Sequence, residues 1–246
     1  MLAFALVLSV LIGVSLGLLG GGGSILTLPI LMYALHMGEK EAIATSLLVV
    51  GATSAAAVLT HARAGRVRWK IGLIFAAAGA TGAFGGGVLA DYIPATWLIR
   101  AFILMMLATA FAMFRGRKEM EAKQGPLPVF KVALDGLAVG VVTGLVGAGG
   151  GFLVVPALVL LGGLPMYEAV GTSLLVIAVK SFAGFAGHAT HVQIDYKTAG
   201  MVVVAAIVGS VIGGKLAPMV PQNTLRKGFA IFVLLMAGFM AWKQLA

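Results

Sequence analysis

Two glycine runs set the chemistry this chain is able to do. Gly20 to Gly23 with Ser24, and Gly147 with Gly149 to Gly151, each precede a short apolar stretch that reads as helix, Ile25 to Leu35 and Phe152 to Leu161. The first N–H groups of a helix lack internal partners, and its dipole places partial positive charge beside them. Glycine leaves those donors uncovered, so such a break suits an anion. The candidate ligands are Gly22, Gly23 and Ser24, with Gly149, Gly150 and Gly151. Close packing of helices through small residues is the competing reading.

Hydroxyls and charges add to this set. Thr45-Ser46 and Thr172-Ser173 lie one turn into the segments that follow, where they either donate to an oxyanion or bond back to the preceding turn. Lys180 stands alone in an apolar run, about 18 Å of helix from Glu168. A lone charge at that depth is costly, so it should face a cavity, an anion or a structural partner such as Asp135 or Glu168. His61 and His188 end equivalent segments and are candidates for proton coupling, or simply polar groups at a wet interface. An intramembrane hydrolase built on Ser24 and a histidine is the weaker alternative, because Gly151 replaces Ser24 in the second glycine region and no nucleophile elbow flanks it. There is no metal-ligand spacing, no nucleotide loop and no cysteine. The expectation is a protein that is not an enzyme and needs no cofactor.

The elements that must hold these residues are helices in lipid. Hydrophobic residues make up 61% of 246 positions, charged residues 10%, and mean hydropathy is +1.08. A soluble domain carries roughly a quarter charged residues. Long charge-free runs, among them 1–38, 42–60, 71–90, 136–167 and 198–214, match the ~20 residues a spanning helix needs. A barrel strand would alternate polar and apolar residues, and these runs do not. The net charge of +9 then marks loops facing anionic lipid on the cytoplasmic side, not a nucleic-acid partner. The expected partners are the bilayer and a small anion, with a homo-oligomer left open.

The chain is written twice. At an offset of 127, residues 13–29 match 140–156 at nine of 17 positions, and 41–50 match 168–177 at seven of ten. His61 falls on His188, Lys70 on Lys197 and Pro94 on Pro221. Each unit reads as five helical segments: 2–19, 24–37, 42–61, 70–90 and 96–114, then 130–146, 151–164, 169–188, 197–217 and 223–242. The units are residues 1–114 and 129–246, joined by a charged cytoplasmic linker, 115–128, that contains Gly125-Pro-Leu-Pro128.

Length argues for the topology. A continuous helix over residues 1–37 would run about 55 Å, too long for a ~30 Å core, and two full spans would need more residues. The glycine break predicts a hairpin of two short helices that enters and returns on one side. A hairpin plus three spans crosses an odd number of times, so the fold expected is an all-α membrane protein of two inverted repeats. Charge decides little: the inverted arrangement places 12 cations inside and four outside, a parallel one 11 and five.

Gly-x-x-x-Gly-Leu-x-Gly-x-Gly-Gly followed by Pro, then Glu-Ala-x-x-Thr-Ser-Leu, occurs in both units. This pair of motifs resembles the sulfite/sulfonate exporter (TauE/SafE-like) family over nearly the whole chain. The resemblance implies a secondary transporter in the cytoplasmic (inner) membrane that exports sulfite, sulfoacetate or a related sulfur-containing anion. An anion channel with the same site is the alternative. The family glycines map onto Gly20, Gly22, Gly23, Gly147, Gly149 and Gly150, with the Thr-Ser pairs at 45–46 and 172–173.

Overall fold

The computed structural model describes residues 2–90, 92–115, 129–146, 151–188 and 194–245, so the linker 116–128 and the glycines 147–150 lie outside the described residues. In chain order the helices are α1 Leu2–Leu19, α2 Ser24–Ala34, α3 Glu39–Arg63, α4 Trp69–Ala90 and α5 Ala95–Arg115. They continue with α6 Val129–Val146, α7 Gly151–Pro156, α8 Met166–His188, α9 Tyr196–Leu216 and α10 Gln222–Leu245.

Sequence punctuation explains the boundaries. Proline closes a φ angle and offers a carbonyl without an N–H, so α5 starts after Pro94 and α10 after Pro221, with Trp97 and Leu225 donating to those prolines' carbonyls. Asp195 caps α9, its carboxylate accepting from the N–H groups of Lys197 and Thr198 at 3.0 and 3.2 Å. Pro156 sits inside the helix that α7 begins, which widens into a π-helical stretch, Ala157–Leu161, closed by Gly162 N–H donating to Ala157.

One expectation needs correction. The glycine hairpin is not made of two short helices: α1 has 18 residues, about 27 Å of rise, whereas α2 has 11, about 16 Å. The chain does fold back, since a Cβ on Gly23 would fall 2.6 Å from Ile12 O. The bounds of α1 are those of the expected segment 2–19, while α2 ends at Ala34, short of the expected 37.

Small residues set the packing. Gly13 and Gly17 press α1 against the backbone of Ala206 and Ser210 in α9, while Gly140 and Gly82 press α6 and α4 against each other at Gly79 and Leu137. A side chain at any of these glycines would overlap a backbone carbonyl. In both pairs the contacts advance together along the two helices, so the partners run parallel. Helices α3 and α8 run antiparallel, with Gly51 beside Phe182, Gly184 beside Leu47, and Gly171 beside His61 and Arg66. Helices α5 and α10 pack Met106, Ala110 and Met113 near Phe229, Val233 and Ala237 in the largest buried cluster.

The exterior and interior are exchanged relative to a water-soluble protein. Thr45, Thr53, Ser54, His61, Thr172 and Ser173 are buried, while Phe84, Leu104, Phe111, Val204 and Leu235 are each more than 60% exposed. Such a surface requires an apolar solvent. Among the described residues, three helices are long and apolar enough to cross a membrane: Glu41–Arg63, Met166–Ala186 and Tyr196–Met219.

Candidate functional site

The two glycine regions meet. Gly151, the first residue of α7, lies against Ser24, the first residue of α2: a Cβ added to Gly151 would fall 2.5 Å from Ser24 Oγ. These residues are equivalent at the offset of 127, so each unit presents the start of its short helix to the other. Ser24 Oγ donates to Gly21 O at 2.6 Å. Gly20 has φ +73°, a left-handed conformation that favours glycine, and its own Cβ would fall 2.6 Å from Ser173 Oγ. Gly22 and Gly23 form the 3-10 turn Gly21–Gly23 that leads into α2. The N–H groups of Gly149 and Gly150 lie outside the described residues.

One stripe of α8 runs past this junction. Ser173, Ile177 and Lys180 are spaced i, i+4, i+7 and share a face. Ser173 lies beside Gly20 and Ile177 beside Gly151, while Lys180 Nζ reaches Thr143 Oγ1 of α6 at 3.4 Å. Thr143 in turn donates to Gly140 O at 3.0 Å. Among the described residues Lys180 is thus held by a neutral hydroxyl at a distance typical of a weak bond, with neither Asp135 nor Glu168 as its partner.

Thr143 is the residue that motif reading missed, and the alignment carried its signal. Where the second unit has Thr143 and Lys180, the first has Leu16 and Thr53. The two positions at which the units differ here lie side by side in the fold. Among the described residues Thr53 Oγ1, which is buried, has no hydrogen-bond partner.

The hydroxyl pairs divide. Ser46 and Ser173 donate back to Ile43 O and Val170 O at 2.9 and 2.8 Å. Thr172 Oγ1 accepts the N–H of Arg68 at 3.0 Å, and Thr45 Oγ1 is buried without a partner among the described residues. His61 is not at a wet interface. It is 1% exposed, its Nε2 lies 3.0 Å from Gly17 O, and its Nδ1 has no partner among the described residues. The side chain of His188 lies outside the described residues.

The glutamate of each motif joins the units. Glu168 receives Arg68 in two hydrogen bonds, Nε at 2.7 and Nη2 at 2.8 Å, which raises the guanidinium's pKa above its ordinary value. Its equivalent Glu41 accepts the N–H of Asp195 at 3.4 Å, and Asp195 is the equivalent of Arg68. Each α3–α4 or α8–α9 loop thereby docks on the start of the other unit's third helix.

A polar, glycine-broken interior under an apolar exterior defines an integral membrane protein, and its relatives place it in the class of membrane transporters. A "probable membrane transporter protein" of Xylella fastidiosa is 34% identical over 243 residues, covering 96% of this chain and 93% of that one. The "probable membrane transporter protein YdhB" of Bacillus subtilis is 30% identical, covering 91% and 92%. The family described as "Sulfite exporter TauE/SafE" matches residues 5–240, and the chain belongs to it. No solved structure matches the chain.

Proposed function

We propose that this protein is a secondary transporter that exports a small sulfur-containing anion, of the sulfite or sulfonate type, across the cytoplasmic membrane. The observation that carries the reading is the meeting of the two short helices at Ser24 and Gly151, beside the Ser173–Lys180 stripe. Two helix starts are brought to one place, the first led in by the 3-10 turn Gly21–Gly23, whose Gly21 O takes the Ser24 N–H. They combine their positive dipole ends and their remaining free N–H groups, which favours an oxyanion. Gly22, Gly23, Gly149, Gly150 and Gly151 supply backbone donors. Ser24, Thr45, Ser46, Thr172 and Ser173 supply hydroxyls, those of Ser24, Ser46 and Ser173 after leaving the carbonyls to which they now donate. Lys180 supplies charge, exchanging its long bond to Thr143 for the anion.

The substrate class comes from the family description and the chemistry of the donors. The transport mode comes from the arrangement of the units, 1–114 and 129–246 with a cytoplasmic linker, 115–128. Antiparallel α3 and α8, with parallel α1–α9 and α4–α6 pairs, are what two inverted copies produce about a shared centre. Rocking of the copies about that centre exposes the site to one side and then the other. His61 and His188 are the groups proposed to couple protons. An inside-negative potential assists export of an anion by about 2.3 kcal/mol per charge per 100 mV.

Thermal-shift screening of purified protein against small oxyanions tests this reading. Sulfite or a sulfonate should raise the unfolding temperature in a saturable way, while a cation panel does not. No stabilisation by any sulfur oxyanion, with a clear shift from another ligand class, would move the protein out of this substrate class.

A further inference from the structure

We propose that the groove between the start of α4 and the start of α6 is a binding site for an anionic phospholipid. The groove encloses about 320 Å³. Its rim is formed by Arg68, Trp69 and Lys70, and its floor by Ile71, Ile74 and Val132. Polar rim and apolar floor fall at the point where α4 passes from the charged loop into its charge-free run, which is headgroup depth in a bilayer. Trp69 is half exposed there, the position at which an indole ring favours the membrane interface. Below the groove the outer face of α4 continues with exposed Leu73, Phe84 and Val88, a surface that an acyl chain covers.

Charge selects the lipid. The Arg68 guanidinium is neutralised by Glu168, but among the described residues Lys70 has no carboxylate partner. Arg63 and Arg66 lie in the same loop region, so the rim is net positive. A phosphodiester with an uncharged or anionic headgroup complements it, whereas a choline headgroup brings its own cation to the rim.

The duplication supplies an internal control. The equivalent groove, between the starts of α9 and α1, holds Lys197 and Met201 where this one holds Lys70 and Ile74. It is larger, about 540 Å³, and is also lined by Leu6, Gly200 and Val204. Two residues from Lys197, however, stands Asp195, whose carboxylate is held ionised by Thr198 and by Lys197 itself. The two charges offset each other, so that groove has no preference for an anionic headgroup. The inference is independent of the transported substrate.

Fluorescence quenching by brominated lipids reads this site directly. The chain has three tryptophans, and replacing Trp97 and Trp242 with Phe leaves Trp69 as the reporter. In neutral-detergent micelles, brominated phosphatidylglycerol should quench Trp69 at mole fractions where brominated phosphatidylcholine does not. Lys70→Gln should weaken the phosphatidylglycerol response about fivefold, the effect of one cation near a lipid surface, and Lys197→Gln should leave it unchanged. Native mass spectrometry of the wild-type chain and of Lys70→Gln should give the same order of retained lipids without the tryptophan substitutions. Equal quenching by both lipids, or an unchanged response in Lys70→Gln, overturns the proposal.

Discussion

The contact between Ser24 and Gly151 is where the two units face each other, and it has a measurable stiffness. In Gly151→Ala the new Cβ would lie 2.5 Å from Ser24 Oγ and 3.3 Å from both Ser24 Cβ and Ile177 Cδ1. A real Cβ does not approach an oxygen so closely, so Ser24 must rotate and release Gly21 O, to which it now donates at 2.6 Å. Losing that bond costs about 0.5–1.5 kcal/mol, and the crowding against Ile177, which is 3% exposed, adds an overpacking cost. Alanine's better helix propensity returns less than about 1 kcal/mol at a first-turn position. A net loss of about 1–3 kcal/mol is expected. Ser24→Gly removes the obstruction beforehand and gives up the same bond to Gly21 O, so Ser24→Gly/Gly151→Ala should cost less than the sum of the two single changes, a coupling of about 1–2 kcal/mol. Thermal unfolding of the four proteins in one detergent measures the cycle. If Gly151→Ala unfolds with the wild-type protein, or the two changes merely add, the helix starts are not in contact and the site must be placed elsewhere.

Lys180→Met should weaken binding of the transported anion about tenfold to a hundredfold, the range for hydrogen bonds to a charged group, while leaving folding intact or slightly improved; Lys180→Arg should retain part of the affinity, and wild-type binding by the Met variant in a ligand-titrated thermal shift would remove Lys180 from the site. Single cysteines at Gly65 and Tyr196, introduced into this cysteine-free chain, should react with an impermeant maleimide from opposite sides of the membrane; labelling of both from one side would restore parallel units. Asp195, an N-cap whose pKa is lowered first of all by its hydrogen bond from Thr198, contributes stability that is complete above the ordinary aspartate value of 3.8 and is lost as pH falls through the lower folded-state value. Asp195→Ala should therefore flatten the acid limb of a melting-temperature profile relative to wild type, and an unchanged limb would discount the cap.

Most of the helical layout was legible because this chain punctuates its helices strongly. Glycine runs, Pro94 and Pro221, and charged loops mark boundaries that the helices follow within a few residues, and the repetition at 127 supplied a second reading of each. Less was legible about partnership. Gly13, Gly17, Gly79 and Gly82 announce close packing, but nothing local says that α1 lies on α9 and α4 on α6. That pairing is a tertiary choice, in which the first helix of each unit packs on the other unit. The bounds of α1 follow the segment 2–19, whereas α2 stops at Ala34, three residues before the apolar run suggests, because no proline or charge punctuates its end. Glu41 and Glu168 looked like motif residues, and their work as docking points for the opposite unit depends on the antiparallel run of α3 and α8. The bond from Lys180 to Thr143 left a trace in the alignment, since the units differ at both positions, with Leu16 and Thr53 standing where the second unit has Thr143 and Lys180.

Counter-flow in proteoliposomes tests the central claim most directly. Vesicles containing the purified protein and loaded with unlabelled sulfite or sulfoacetate should accelerate entry of the labelled anion from outside. The flux should saturate, and it should fall sharply in Lys180→Met. That behaviour requires a site that binds the anion and turns from one face to the other. Failure of trans-loaded anion to stimulate entry, or an ohmic current that grows with concentration without saturating, would contradict alternating access at the Ser24–Gly151 junction.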